Sequence, residues 1–224
     1  MNYWRAVMKI FAKDFREEIR RKENLAASFF FAFLALVLFY FSVDPTRVDL
    51  GESGAGLLWL VILFAGNLFM GNTFRKETET GTLQALLLAP VDRSAIYIGK
   101  FLVNLAFLLI LEALILAFAF ILLAMPVGAH IGWLAAVWVL ASVGYAAVGT
   151  LLSSLVAQIR GGHLLFPLLA FPILIPLLIA ASSLTQDVML GHAAASVRWL
   201  QLVGLFDTIF LVAPLFLFEY AIEE

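Results

Sequence analysis

The sequence predicts an all-α integral membrane protein with six transmembrane helices, an amphipathic interfacial helix ahead of them, and a short cytoplasmic helix between the second and third. Three observations predict it. Of the 224 residues, 63% are hydrophobic and 13% charged, with a mean hydropathy of +1.02, whereas soluble domains run at roughly 45–50% apolar and about 25% charged. The apolar residues gather into six runs, 25–43, 54–74, 100–124, 132–157, 164–182 and 199–221. Each is close to the ~20 residues a helix needs to cross hydrocarbon about 30 Å thick. The cations, finally, are one-sided in a way that the net charge of −2 conceals. Arg5, Lys9, Lys13, Arg16, Arg20, Arg21 and Lys22 precede the first run, Arg75, Lys76, Arg93 and Lys100 follow the second, and Arg160 follows the fourth. The loops of opposite parity hold Arg47 and Arg198. Positive residues near span ends stay in the cytoplasm, so the N-terminus is expected inside, and an even number of spans returns Glu223 and Glu224 there.

Residues 1–24 form a long charged segment rather than a short basic leader, so no cleavable signal peptide is expected. Trp4, Met8, Phe11, Phe15 and Ile19 recur at spacings of three and four, while Arg5, Lys9, Lys13, Arg16 and Arg20 fill another face. That pattern predicts an amphipathic helix lying at the cytoplasmic interface, with aromatics among acyl chains and cations against anionic headgroups. A soluble helix docked on another subunit is the alternative.

The second and third spans carry Asn72 and Asn104 at similar depth near their cytoplasmic ends, positioned to hydrogen-bond across the pair. Glu112 falls mid-way along the third span, where a bare charge is expensive. It is read as a protonated carboxyl bonded to a neighbouring helix, with substrate handling or proton movement as the competing role. The fourth span offers small residues, Ser142, Gly144, Ala146, Ala147, Gly149, Ser153 and Ser154, which let helices approach closely. Pro167, Pro172 and Pro176 in the fifth each remove an amide donor, which predicts a kinked or locally unwound helix, either a hinge or a static bend. The sixth span contains Asp207 and, near its end, Glu219.

The connection between the second and third spans is not a plain linker. Thr80 or Thr82 can cap a helix, Leu83, Leu86 and Leu87 form an apolar face, and Pro90 stops it. The expected product, at about 80–90, is a short cytoplasmic helix with Glu77 and Glu79 at its start and leucines exposed. Exposed leucines call for a partner with a hydrophobic groove; the alternative is that Leu86 to Ala89 simply re-enter the membrane surface.

The run Glu77-x-x-x-Gly81-Thr82-Leu83-x-x-Leu86-Leu87-x-x-Pro90-x-x-Arg93-x-x-x-x-x-Gly99-Lys100 resembles the coupling-helix region of type-2 ABC exporter permeases. Arg160-Gly161-Gly162-x-Leu164-Leu165-x-Pro167-Leu168-Leu169-x-x-Pro172-x-x-x-Pro176, with the compact six-span layout, is similar to the CcmB (haem exporter B) family. The resemblance covers about Arg21 to Ala181. It implies a bacterial inner-membrane permease of the cytochrome c maturation system, whose coupling residues are Glu77, Glu79, Gly81, Thr82, Leu83, Leu86, Leu87, Pro90 and Arg93. The implied partners are a CcmA-like cytoplasmic ATPase, CcmC-like and CcmD-like membrane subunits and a CcmE-like periplasmic haem chaperone, with no nucleic acid. Gly161, Gly162 and the three prolines become candidate hinge or kink positions.

No catalytic machinery is expected in the chain itself. The phosphate-binding GxxxxGK[ST] pattern is absent, and Gly99-Lys100 is followed by Phe101, so ATP is expected on a separate subunit. There are no cysteines, hence no thiolate metal site and no Cys-x-x-Cys-His. His130, His163 and His192 are expected to be solvated rather than haem ligands, no metal or cofactor is expected on this chain, and haem is left to the complex. Two other classes share part of this pattern: a general ABC-2 exporter of lipids or drugs, and a non-ABC membrane assembly or scaffold protein.

Overall fold

The computed structural model describes residues 3–42, 50–74, 77–78, 81, 92–123, 131–157, 159, 161–191 and 197–221. Regular structure among them is helical throughout: α1 (Tyr3–Arg21), α2 (Glu23–Ser42), α3 (Leu50–Met70), α4 (Arg93–Leu123), α5 (Ile131–Val156), α6 (Gly162–Met189) and α7 (Val197–Ala221). Five of these contain stretches long and apolar enough to cross a membrane: Glu23–Ser42, Arg93–Leu122, Ile131–Val156, Leu164–Met189 and Val197–Leu215. The stretch Gly54–Met70 within α3 is apolar but shorter.

The bundle is organised around α5. Its small residues from Ser142 to Ser154 are buried, and the close approach they permit lets α3, α4, α6 and α7 all pack on it. Larger side chains fill the gaps between helices and bond across them. Trp59 Nε1 on α3 donates to Thr185 Oγ1 on α6 at 2.9 Å, and Tyr145 OH on α5 donates to Leu63 O on α3 at 2.7 Å. The second bond needs Gly66, since a Cβ there would lie 2.6 Å from the phenol oxygen.

The outward faces are apolar. On α2, Phe30, Leu34, Leu38 and Phe41 are exposed at helical spacing, and on α6 so are Leu164, Leu168, Ile175 and Ile179. Stripes of this kind suit lipid and not water.

Of the two outcomes expected for the prolines, local unwinding is not seen: α6 runs unbroken from Gly162 to Met189 through Pro167, Pro172 and Pro176. The buried stripe of α6 runs through Phe166, Ala170, Leu174, Leu177 and Leu184, whereas Pro172 and Pro176 are exposed, so the helix packs on its neighbours without them. The aromatic stripe of α1 is covered by protein along part of its length only. Phe11 and Phe15 pack inward on the core, with the Phe15 ring centroid 4.9 Å from that of Phe107 at a tilt of 34°, whereas Trp4 is 68% and Met8 55% exposed.

Candidate functional site

The end of α3 and the first turns of α4 meet at one end of the bundle. Beyond Met70 the chain continues in hydrogen-bonded turns, with Gly71 N–H donating to Asn67 O at 3.0 Å and Thr73 N–H to Met70 O at 3.1 Å. Phe74 is buried, and a further turn brings Thr78 N–H to Phe74 O at 3.2 Å. This geometry aims Glu77 back under the bundle rather than into solvent, at 7% exposure.

Lys100 receives it. The ammonium pairs with Glu77 Oε1, lies 3.1 Å from Asp14 Oδ2, donates to Thr73 O at 3.3 Å and sits 5.0 Å over the Phe74 ring. Lys100 is 4% exposed. A buried ion is tolerable only when paired and hydrogen-bonded, and an ammonium has three N–H donors. Here two acceptors, Glu77 Oε1 and Thr73 O, take hydrogen bonds from the ammonium, and the Asp14 carboxylate adds an ion pair from a third part of the chain.

Asp14 reaches this point because α1 docks along α4. Ala6 and Val7 pack with Ala95, Ile98 and Leu102, and Ile10 crosses directly over Gly99. A Cβ at Gly99 would lie 2.7 Å from Ile10 Cγ2 and 2.9 Å from its Cβ, so the glycine allows the approach. Asp14 is one helical turn beyond Ile10, on the same face. Beside the ions is a polar cavity of about 90 Å³, lined among others by Glu17, Glu18, Asn72, Thr73 and Asn104.

Asn104 extends the connection inward. Its Nδ2 donates to Thr150 Oγ1 on α5 at 2.8 Å, and the Thr73 hydroxyl lies 3.1 Å from its Oδ1. The α3 end and α4 are therefore bonded at this depth through Thr73. Asn72 lines the same cavity and donates to Leu68 O at 3.1 Å. Tyr97, one turn before Lys100, donates to Ala147 O on α5 at 3.1 Å.

Glu112 lies deeper and apart from this cluster. It is 2% exposed, and its Oε2 is 2.6 Å from Ser142 Oγ on α5. Asp207 of α7, 5% exposed, presses against Gly144, where a Cβ would collide with its carboxylate and lie 3.0 Å from Phe206 Cδ1. Gly161 and Gly162 open α6 at a tight turn from α5. Gly161 has φ +81°, a left-handed conformation, and Gly162 has no room for a Cβ beside the Val156 carbonyl.

Gly81 is exposed with φ +66°, and Arg93 is the first residue of α4. Glu79, Thr82, Leu83, Leu86, Leu87 and Pro90 lie outside the described residues, as do His130, His192 and the side chain of His163. Reading by periodicity missed Asp14 and the role of Lys100. An acidic residue on the inward face of a basic helix, and a lysine one turn inside an apolar span, were the available signals.

The family model described as CcmB protein matches residues 5–224. The chain is 29% identical over 180 residues to heme exporter protein B of Rhodobacter capsulatus, covering 79% of this chain and 81% of that one. It is 26% identical over 192 residues to heme exporter protein B of Pseudomonas aeruginosa, covering 85% and 86%. With heme exporter protein B of Haemophilus influenzae the identity is 25% over 184 residues, 80% of each chain.

Proposed function

We propose that this chain, which belongs to the CcmB family, is the transmembrane permease subunit of an ABC complex in cytochrome c biogenesis. Its relatives carry the name heme exporter protein B. On this reading all six apolar segments cross the inner membrane, both termini are cytoplasmic, and α1 lies along the cytoplasmic interface with Trp4 and Met8 toward lipid. ATP is hydrolysed by a separate CcmA-like subunit. CcmC-like and CcmD-like membrane subunits and a CcmE-like haem chaperone complete the assembly.

The observation that carries this reading is the rooting of the 79–91 segment. A leucine-faced segment is useful as a mechanical input only if its base is fixed to the spans it must move. Its root, Glu77, is buried and paired with Lys100 of α4 at the end of α3. Nucleotide-driven closure of an ATPase gripping Leu83, Leu86 and Leu87 would then move α3 and α4 together, as rigid elements repack between discrete states.

The work done is better described as release of the haem-loaded chaperone than as passage of haem through this chain. Three polar pairs of the bundle are engaged in joining helices: Trp59 to Thr185, Asn104 to Thr150, and Glu112 to Ser142. Groups so engaged stiffen a bundle.

Replacing Leu83 and Leu86 together by Asp tests the coupling. Membrane insertion should be unchanged, while co-purification of the ATPase and cytochrome c yield fall at least tenfold. Normal cytochrome c maturation in that double variant removes the assignment. Co-purification from the native membrane separates the other classes: an ATPase with a haem-handling protein here, an ATPase alone for a lipid or drug exporter, neither for a scaffold.

A further inference from the structure

We propose that Lys100 is a positioning residue: it clamps the N-terminal helix and the root of the 79–91 segment onto α4, so that α1, this root and α4 respond to the ATPase as one rigid body. The inference rests on the coupling reading above. It adds a component to the moving part, α1, which holds no residue of the coupling motif.

The stereochemistry is specific to lysine. Its ammonium is a point charge with three donors: it hydrogen-bonds the root of the segment (Glu77 Oε1) and the end of α3 (Thr73 O, 3.3 Å), and it forms an ion pair with α1 (Asp14 Oδ2, 3.1 Å). The assembly is enclosed: the side chains of Lys100, Asp14 and Glu77 are 5%, 10% and 9% exposed. At that burial, pulling one partner away leaves a charge without its counter-ion. Displacement of Glu77 therefore drags Lys100, and with it Asp14.

The neighbouring contacts turn this ionic link into a rigid one. Gly99 admits Ile10 to within van der Waals contact of the α4 backbone, Ala6 and Val7 are buried against Ala95, and the Phe15 ring packs at a tilt against Phe107. The consecutive pair Gly99-Lys100 thus has two separable tasks. The glycine lets α1 lie close, and the lysine fixes its register relative to Glu77.

The test follows distances in the complex. The chain has no cysteine, so Ala12→Cys on the exposed side of α1 and Gln84→Cys in the segment can carry spin labels directly. The permease is reconstituted with its ATPase in lipid nanodiscs and measured without nucleotide and trapped with ATP and vanadate. The Ala12–Gln84 distance should be the same in both states in the parent protein. It should become nucleotide-dependent in Lys100→Met, with cytochrome c formed per ATP hydrolysed falling at least fivefold.

Asp14→Asn keeps the Lys100–Glu77 pair and severs only the α1 arm. It should give the same loss of rigidity at normal membrane levels, even where Lys100→Met folds poorly. A distance that already changes in the parent protein, or one that stays fixed in Asp14→Asn, overturns the clamp while the ATPase association stands. A permease that binds no ATPase overturns both the clamp and the coupling reading.

Discussion

Ser142 has one hydroxyl hydrogen and two acceptors within reach, Glu112 Oε2 at 2.6 Å and the Trp138 carbonyl at 2.7 Å. An ionised Glu112 would compete with Trp138 for that single proton. A protonated carboxyl satisfies both: Oε2–H donates to Ser142 Oγ, and Ser142 donates to Trp138 O. Glutamine can do the same with its amide, so Glu112→Gln should keep at least half of cytochrome c maturation and an unchanged melting temperature in detergent. Glu112→Leu loses the interhelical bond, worth about 0.6–2 kcal/mol in membrane bundles, and should melt lower. Abolished maturation in Glu112→Gln at normal protein levels would mean that the carboxyl takes part in proton or substrate handling.

At the level of elements, the apolar runs were legible because length and hydropathy alone decide them, and each run coincides with a helix. Their ends were not. The third run, read from 100, begins as a helix at Arg93, where Ala95, Ile98 and Gly99 pack against α1 and Ile96 and Tyr97 against the core of the bundle. The fifth, read to 182, continues to Met189, carrying Thr185 to its bond with Trp59. Hydropathy detects the apolar part of a helix and stops where polar residues such as Arg93, Ser94, Thr185 and Gln186 extend it. The Asp14–Lys100–Glu77 cluster stayed hidden too, since no periodicity relates three residues on separate elements; Glu77 and Asn104 were reached from motif and depth, their partners were not. Gly162 was read as a hinge position, and the geometry gives it a narrower task. A Cβ there would meet the Val156 carbonyl oxygen, a backbone atom that cannot rotate aside. Gly162→Ala should therefore shift the α5–α6 turn and cut the folded yield severalfold, read by size-exclusion of the solubilised protein. Gly132→Ala, with open space at its Cβ, should leave the yield unaltered.

For the whole molecule the decisive element is α3, because the parity of the fold depends on whether it crosses. Its apolar stretch Gly54–Met70 is shorter than the other candidates. The full helix nevertheless has 21 residues, about 32 Å at 1.5 Å per residue, which matches hydrocarbon about 30 Å thick. Leu60, Phe64 and Leu68 stand exposed at successive turns, an outward apolar stripe that would have no use if α3 lay in water. If it crosses, Ser42 at the end of α2 and Thr78 beyond α3 face opposite compartments, and Gly132 at the start of α5 shares the side of Ser42. The absence of cysteine allows each to be probed singly. Thr78→Cys should react with a membrane-impermeant maleimide only in inverted vesicles, and Ser42→Cys and Gly132→Cys only in right-side-out spheroplasts. Reaction of Ser42→Cys and Thr78→Cys from the same side would reduce the spans to five. It would also reverse one half of the chain relative to the other, and detach the Lys100 cluster from the side on which an ATPase works.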